Sequence, residues 1–236
     1  MSTTTRHQRL TPRAEQRILD LLSAARDVFA ERGFERATTL EIAQRAGVSE
    51  PTVFTYFDSK RDLCVEVIRR WYGQITADIE RDLPLFSGLP ARLRFIVRRH
   101  LDNLMGEGVG ICALVLSEGR TADKTVTDVI AELKRAYVEP LMRSLRDAVA
   151  QGEIRDDMPL RLLRDMVFGS MEHVLWGYVV SGVKPDIEVT SRQLTEMLCA
   201  AFAPASVPEQ ALRELRADVS LALRRCEQKL SHNHRD

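Results

Sequence analysis

The sequence predicts an all-α protein: an N-terminal three-helix unit, two of whose helices are short, then a series of longer helices. Two observations carry this. Apolar residues recur every three to four positions through most of the chain, and no segment shows the strict apolar–polar alternation of a half-buried strand. The 236 residues include only 12 glycines, and aromatic residues make up 6%, which suits long helices better than a turn-rich β architecture.

Taken in order, the first helix begins near Glu15, with Ile18, Leu21, Leu22, Ala25, Val28 and Phe29 on one face, and stops at Gly33, where αL geometry is cheap. Residues 38–60 hold two short helices, and a longer one starts near Lys60 with Leu63, Val67, Ile68, Trp71, Ile75 and Ile79 on its stripe. The run LPLFSGLP, residues 83–90, breaks that helix. Helices follow over 92–105, 111–118, 124–151, 160–181 and 187–202. Pro140 lies inside the 124–151 helix and is expected to kink it, because proline removes a backbone donor. A last amphipathic helix over 209–230 carries Leu212, Leu215, Val219, Ala222 and Cys226 at near-heptad spacing.

Composition narrows the classes. With 44% apolar and 29% charged residues, the chain reads as a folded globular protein. No run of about 18 apolar residues could span a bilayer, and the N-terminus lacks the apolar core of a secretory signal, so a cytoplasmic protein is expected. Cys64, Cys112, Cys199 and Cys226 are far apart in sequence and form no C-x-x-C pair, so neither a zinc ribbon nor a disulfide framework is expected. Neither a metal nor a cofactor is implied. The 34 basic and 34 acidic residues cancel, yet the first 14 positions hold Arg6, Arg9 and Arg13 and no acidic group. A neutral total disfavours broad nucleic-acid binding, and a local basic arm does not.

Residues 38–60 concentrate the helix signals. Thr38 and Glu41 have the spacing of a capping box. Gly47 permits a sharp turn, Ser49 suits an N-cap, and Pro51 is tolerated in a first turn. Ile42, Val48, Val53 and Phe57 form an inner face, whereas Glu50, Thr52, Thr55 and Tyr56 point outward. Helix, glycine turn and second helix make a DNA-reading unit, and small hydrogen-bonding side chains fit a major groove. Thr39, Lys60 and the arm arginines are placed to meet phosphates.

The stretch TTLEIAQRAGVSEPTVFTYFDSKRDL resembles the signature of the TetR family of bacterial repressors, and the preceding ILDLLSAARDVFAERGFERATT resembles that family's first helix. The resemblance spans about residues 14–65. It implies operator contacts at Thr38, Thr39, Ser49, Glu50, Pro51, Thr52, Phe54, Thr55, Tyr56 and Lys60. Phe54 stands where the family usually has tyrosine and cannot donate a phenolic hydrogen bond; Tyr56 offers a hydroxyl from another direction. Glu50 has two open readings, accepting from cytosine N4 or complementing the helix dipole.

Farther on, SEGRTADKTV and VEPLMRSLRDAVAQGEIRDDMPLRLLRDMVFGSMEHVLWGYVVSG resemble fatty-acid-responsive repressors of the FadR type within that family. This implies an acyl-CoA or other long-chain effector, walled by Trp71, Met105, Leu116, Met171 and Trp176, with Arg99, Arg120 and His173 as polar partners. Helices 160–181 and 187–202 are apolar enough to pair with a second copy. The organisation expected is a DNA-binding domain with its basic arm at 1–60, a helical ligand-binding and dimerisation domain at 61–204, and an amphipathic helix with a polar tail at 205–236. The expected partners are operator DNA, a small-molecule effector and a second copy of the chain, with no membrane. The rival within this class senses lipophilic cations, as multidrug-type regulators do. An all-helical enzyme is the remote rival, since no nucleophile–base pair, carboxylate cluster or phosphate loop occurs at a usable spacing.

Overall fold

The computed structural model describes residues 11–106, 114–115, 123–204, 215–216, 218–221 and 223–224, and all its regular elements there are helical. The chain runs through α1 (Pro12–Arg36), α2 (Thr39–Arg45), α3 (Glu50–Tyr56), α4 (Lys60–Asp82), a 3₁₀ turn (Leu83–Leu85), α5 (Gly88–Met105), α6 (Lys124–Ala150), α7 (Leu160–Ser181) and α8 (Ile187–Phe202). The arm arginines Arg6 and Arg9, most of the expected 111–118 helix and most of the 209–230 helix lie outside the described residues.

Helix α1 starts three residues earlier than its apolar stripe suggests, because Thr11 accepts a hydrogen bond from the Ala14 amide and Pro12 occupies the first turn. Its regular geometry ends at Gly33, whose φ of 73° and ψ of 167° belong to a region open essentially to glycine alone. That break turns Phe34 inward, where it stacks on Phe29 with ring centroids 6.0 Å apart.

Helix α5 is the spine of the C-terminal part. It packs against α6, α7 and α8 and, more lightly, against α4. Leu93, Val97 and Leu101 along it are fully buried. Arg94 and Arg98 both reach Glu188 on α8 at 2.6 Å. The QGEIR run has a structural explanation. Gly152 closes α6 at φ 70°, Glu153 accepts from the Leu89 amide at 2.9 Å and so caps α5, and Ile154 is buried. The Arg155 amide donates to the Phe202 carbonyl at 2.9 Å, fastening the end of α8. Helix α6 continues through Pro140, and Ser144 donates its hydroxyl to the Pro140 carbonyl at 3.0 Å.

Candidate nucleic-acid interface and ligand cavity

Helices α1, α2 and α3 form a small head on α4. Leu21, Ala25, Phe29, Ile42, Ala43, Val53 and Leu63 are at most 1% exposed and make its core. The capping box at Thr38 and Glu41 is formed in both directions. Helix α2 ends in a Schellman turn: the Gly47 amide donates to the Gln44 carbonyl at 3.1 Å and the Val48 amide to the Ala43 carbonyl at 2.9 Å. Gly47, at φ 67°, supplies the left-handed residue that this turn requires.

The turn sets the starts of α2 and α3 side by side, and the Thr39 hydroxyl donates to the Glu50 carboxylate across them. This third role for Glu50 is absent from its local sequence. Ser49 occupies the N-cap position of α3 but makes no side-chain cap; its hydroxyl pairs with that of Thr52 at 2.8 Å. Thr55 donates to the Pro51 carbonyl at 3.3 Å. Thr38, Ser49, Pro51, Phe54 and Thr55 are exposed, whereas Thr39, Glu50, Thr52 and Tyr56 are half-buried, with Tyr56 packed partly on the core. The outer surface therefore joins threonine and serine hydroxyls, one braced carboxylate and the half-exposed Phe54 ring.

Lys60 has a structural role that its place in the motif did not announce. Its ammonium donates to the carbonyls of Phe34 at 2.8 Å, Ala37 at 3.0 Å and Glu35 at 3.4 Å. It also sits 4.4 Å from the centroid of the Phe34 ring. An ammonium has three N–H donors, and here all three face the carbonyls that follow the Gly33 break at the end of α1. Lys60 thereby fastens the end of α1 to the start of α4.

Beyond the head, a cavity of about 70 Å³ opens between α4, α5, α6 and α7. Trp71 and Tyr72 come from α4, His100 and Leu104 from α5, Lys134 and Tyr137 from α6, and Leu175 and Trp176 from α7, with Val115 and Glu172 completing the lining. The deep wall is aromatic: Trp71 meets Tyr72 edge-on at 5.0 Å, Tyr72 meets Tyr137 at 5.7 Å, and Phe168 meets the His100 ring at 5.1 Å. Lys134, Glu172 and Trp176 are exposed and mark the mouth. The His100 Nδ1 pairs with the Tyr137 hydroxyl. Burial pushes the imidazole pKa down to about 3, so it is neutral at physiological pH.

Of the wall and partner residues expected from sequence, Trp71 and Trp176 line this cavity. Met105 and Met171 are not among its lining residues and are buried in the core. Arg99 is engaged elsewhere, donating to Asp78 on α4 at 2.9 Å. His173 is exposed and outside the lining, one residue beyond Glu172. Leu116 and Arg120 lie outside the described residues. Sequence reasoning missed His100 and Tyr137. Each is a polar ring on an otherwise apolar stripe, His100 four residues after Ile96 and Tyr137 four before Leu141, and that interruption was the available signal. Lys134 and Glu172 sit on polar helix faces and carry no such mark.

Helices α7 and α8 leave apolar side chains uncovered within one chain, among them Met166, Trp176, Val179, Val180 and Met197 at 39–85% exposure. Among the described residues no helix is long and apolar enough to cross a membrane.

A family model described as bacterial regulatory proteins of the tetR family matches residues 21–67, and one described as the C-terminal region of YsiA-like proteins matches residues 69–201. The fatty acid metabolism regulator protein of Bacillus subtilis is 25% identical over 184 residues, which cover 78% of this chain and 94% of that protein. The transcriptional activator FasR of Mycolicibacterium smegmatis is 30% identical over 132 residues, 52% of this chain and 60% of its own. Among solved structures, that of the transcriptional regulator FadR from Bacillus subtilis in complex with stearoyl-CoA aligns with a TM-score of 0.70 at 25% identity, covering 77% of this chain and 97% of that one.

Proposed function

The chain belongs to the TetR family of bacterial regulatory proteins and is a transcription regulator of that type, and from this premise we propose that it is a homodimeric repressor released from its operator by a fatty acyl-CoA. The observation that carries the proposal is the position of α4. One end of that helix, at Lys60, is fastened to the reading head, and Trp71 and Tyr72 farther along it wall the cavity. A ligand that displaces Trp71 or Tyr72 shifts α4 and, through Lys60, the head.

The effector class is supported by the aromatic, largely apolar cavity with Lys134 at its mouth, a cation for the phosphates of a coenzyme group. It is further supported by similarity to a regulator whose structure contains stearoyl-CoA. At about 70 Å³ the cavity has room for roughly five to seven waters at about 10–15 Å³ each. A long chain therefore needs the helices to part, and that movement couples binding to the head. Stronger binding to the parted conformer by a factor of about 5–150 corresponds to about 1–3 kcal/mol of coupling. The uncovered apolar side chains of α7 and α8 are the surface a second copy would bury, giving two heads for the two halves of a pseudo-palindromic operator. With operator DNA as its partner, the protein of this proposal works in the cytoplasm.

Glu172 at the mouth, beside Trp71 and Trp176, favours a second reading in which a lipophilic cation is the effector. Thermal-shift measurements across acyl-CoAs and lipophilic cations separate the two. Stabilisation by long-chain acyl-CoAs alone is expected. Stabilisation by the cations alone would replace the first reading with the second.

A further inference from the structure

His100 is 8% exposed, and its two ring nitrogens are unequally provided for. Nδ1 is bonded to the Tyr137 hydroxyl, whereas Nε2 is buried without a partner on a residue that lines the cavity. In the unliganded cavity water can satisfy such an atom, but a ligand that fills the cavity must replace that hydrogen bond or leave the atom unpaired at a cost. We propose that His100 Nε2 is a polar anchor for the effector, selecting lipophilic ligands that carry a neutral oxygen, a hydroxyl or a carbonyl, in their buried part. This rests on the cavity being the effector site, and it adds which atoms of the effector are read there.

The chemistry at Nε2 restricts the oxygen. In a neutral imidazole, Nε2 is a donor if Tyr137 donates to Nδ1 and an acceptor if Nδ1 donates to Tyr137. A carbonyl oxygen satisfies only the donor form, whereas a hydroxyl satisfies either. A carboxylate is disfavoured, because a neutral ring at 8% exposure cannot offset a buried charge; among the described lining residues the cation, Lys134, is out at the mouth. A plain hydrocarbon segment laid against Nε2 would leave it dry and unpaired. The anchor therefore discriminates by what the chain carries as well as by its length.

Both tryptophans of the chain line the cavity, so intrinsic fluorescence reports occupancy directly. Three probes of equal chain length locate the oxygen: a saturated acyl-CoA, its S-alkyl thioether analogue without the carbonyl, and a hydroxyacyl-CoA. Preference for the acyl-CoA over the thioether identifies the thioester carbonyl as the oxygen read; preference for the hydroxyacyl-CoA identifies a chain hydroxyl. Either preference is expected at about 5- to 150-fold. It should collapse to within about twofold in His100→Phe and persist in His100→Gln, which keeps a donor at a similar reach. A fourth comparison, 1-dodecanol against dodecane, needs no coenzyme group. If no coenzyme A ester binds, the acyl-CoA reading fails, and the anchor still stands if the alcohol binds the native chain tighter than the hydrocarbon and loses that advantage in His100→Phe. Equal binding of oxygenated and plain probes to the native chain, or a preference that survives His100→Phe, overturns the anchor.

Discussion

Replacing Lys60 with methionine separates what the helix-turn-helix pattern implies from what the structure shows. The ammonium bonds two part-buried carbonyls at 2.8 and 3.0 Å and a third at 3.4 Å, with the Phe34 ring 4.4 Å away. Hydrogen bonds from a charged donor contribute about 1.5–3 kcal/mol each. The two short ones, partly offset by rehydration of the freed carbonyls, give a loss of about 3 kcal/mol. For a chain of this size that is a fall of about 6–12 °C in melting temperature. A phosphate contact would behave otherwise. Stability would hold, and the slope of log binding constant against log salt would fall by about 0.9 for each lysine removed. Urea unfolding followed through the head, together with operator binding at several salt concentrations, distinguishes the two. Native stability with a slope reduced by about 0.9 per chain would refute the structural role.

Three further outcomes follow from particular residues. Glu50→Gln should change the operator motif selected from a random-sequence pool, replacing a preference for cytosine by one for adenine at one position per half-site, worth about 1–3 kcal/mol; an unchanged motif would leave Glu50 only as a brace for Thr39. Gly33→Ala should destabilise the head by about 1–3 kcal/mol in urea titrations through backbone strain alone, since an added Cβ would meet nothing within 4 Å; a neutral result would mean that the helix break moves elsewhere at no cost. His100 should make the fold acid-sensitive. Its folded pKa of about 3 lies below the ordinary 6.5, so the unfolded chain gains a proton first. Its contribution is then complete above pH 6.5 and lost as pH falls toward 3, by about 2 kcal/mol at pH 5. The difference between native and His100→Gln chains in urea stability against pH isolates that loss, and parallel curves would contradict it.

The helices were legible because each is announced locally. Thr38 and Glu41 cap, Gly33, Gly47, Gly152 and Gly182 stop, and the stripes between them keep one period. The helix-turn-helix geometry was legible for the same reason, since α2 and α3 are short and the turn between them fixes their relation. Contacts across long separations were not. Lys60 reaches carbonyls 23–26 residues away, Arg99 turns to Asp78 across 21, and His100 meets Tyr137 across 37. Each is decided by how helices pack, which single-helix periodicity does not encode. Met105 and Met171 show the converse error. An apolar residue in a helical stripe reads the same whether it faces a cavity or the packed core beside it.

The claim that binding in the cavity controls the reading head is tested most directly by the fluorescence anisotropy of a labelled operator duplex, obtained by selection with the native chain, as a long-chain acyl-CoA is added. The duplex should be held by two chains per site and let go as the cavity fills, with tryptophan fluorescence and anisotropy changing over the same ligand range. A duplex that stays bound after the tryptophan signal has saturated would contradict the account.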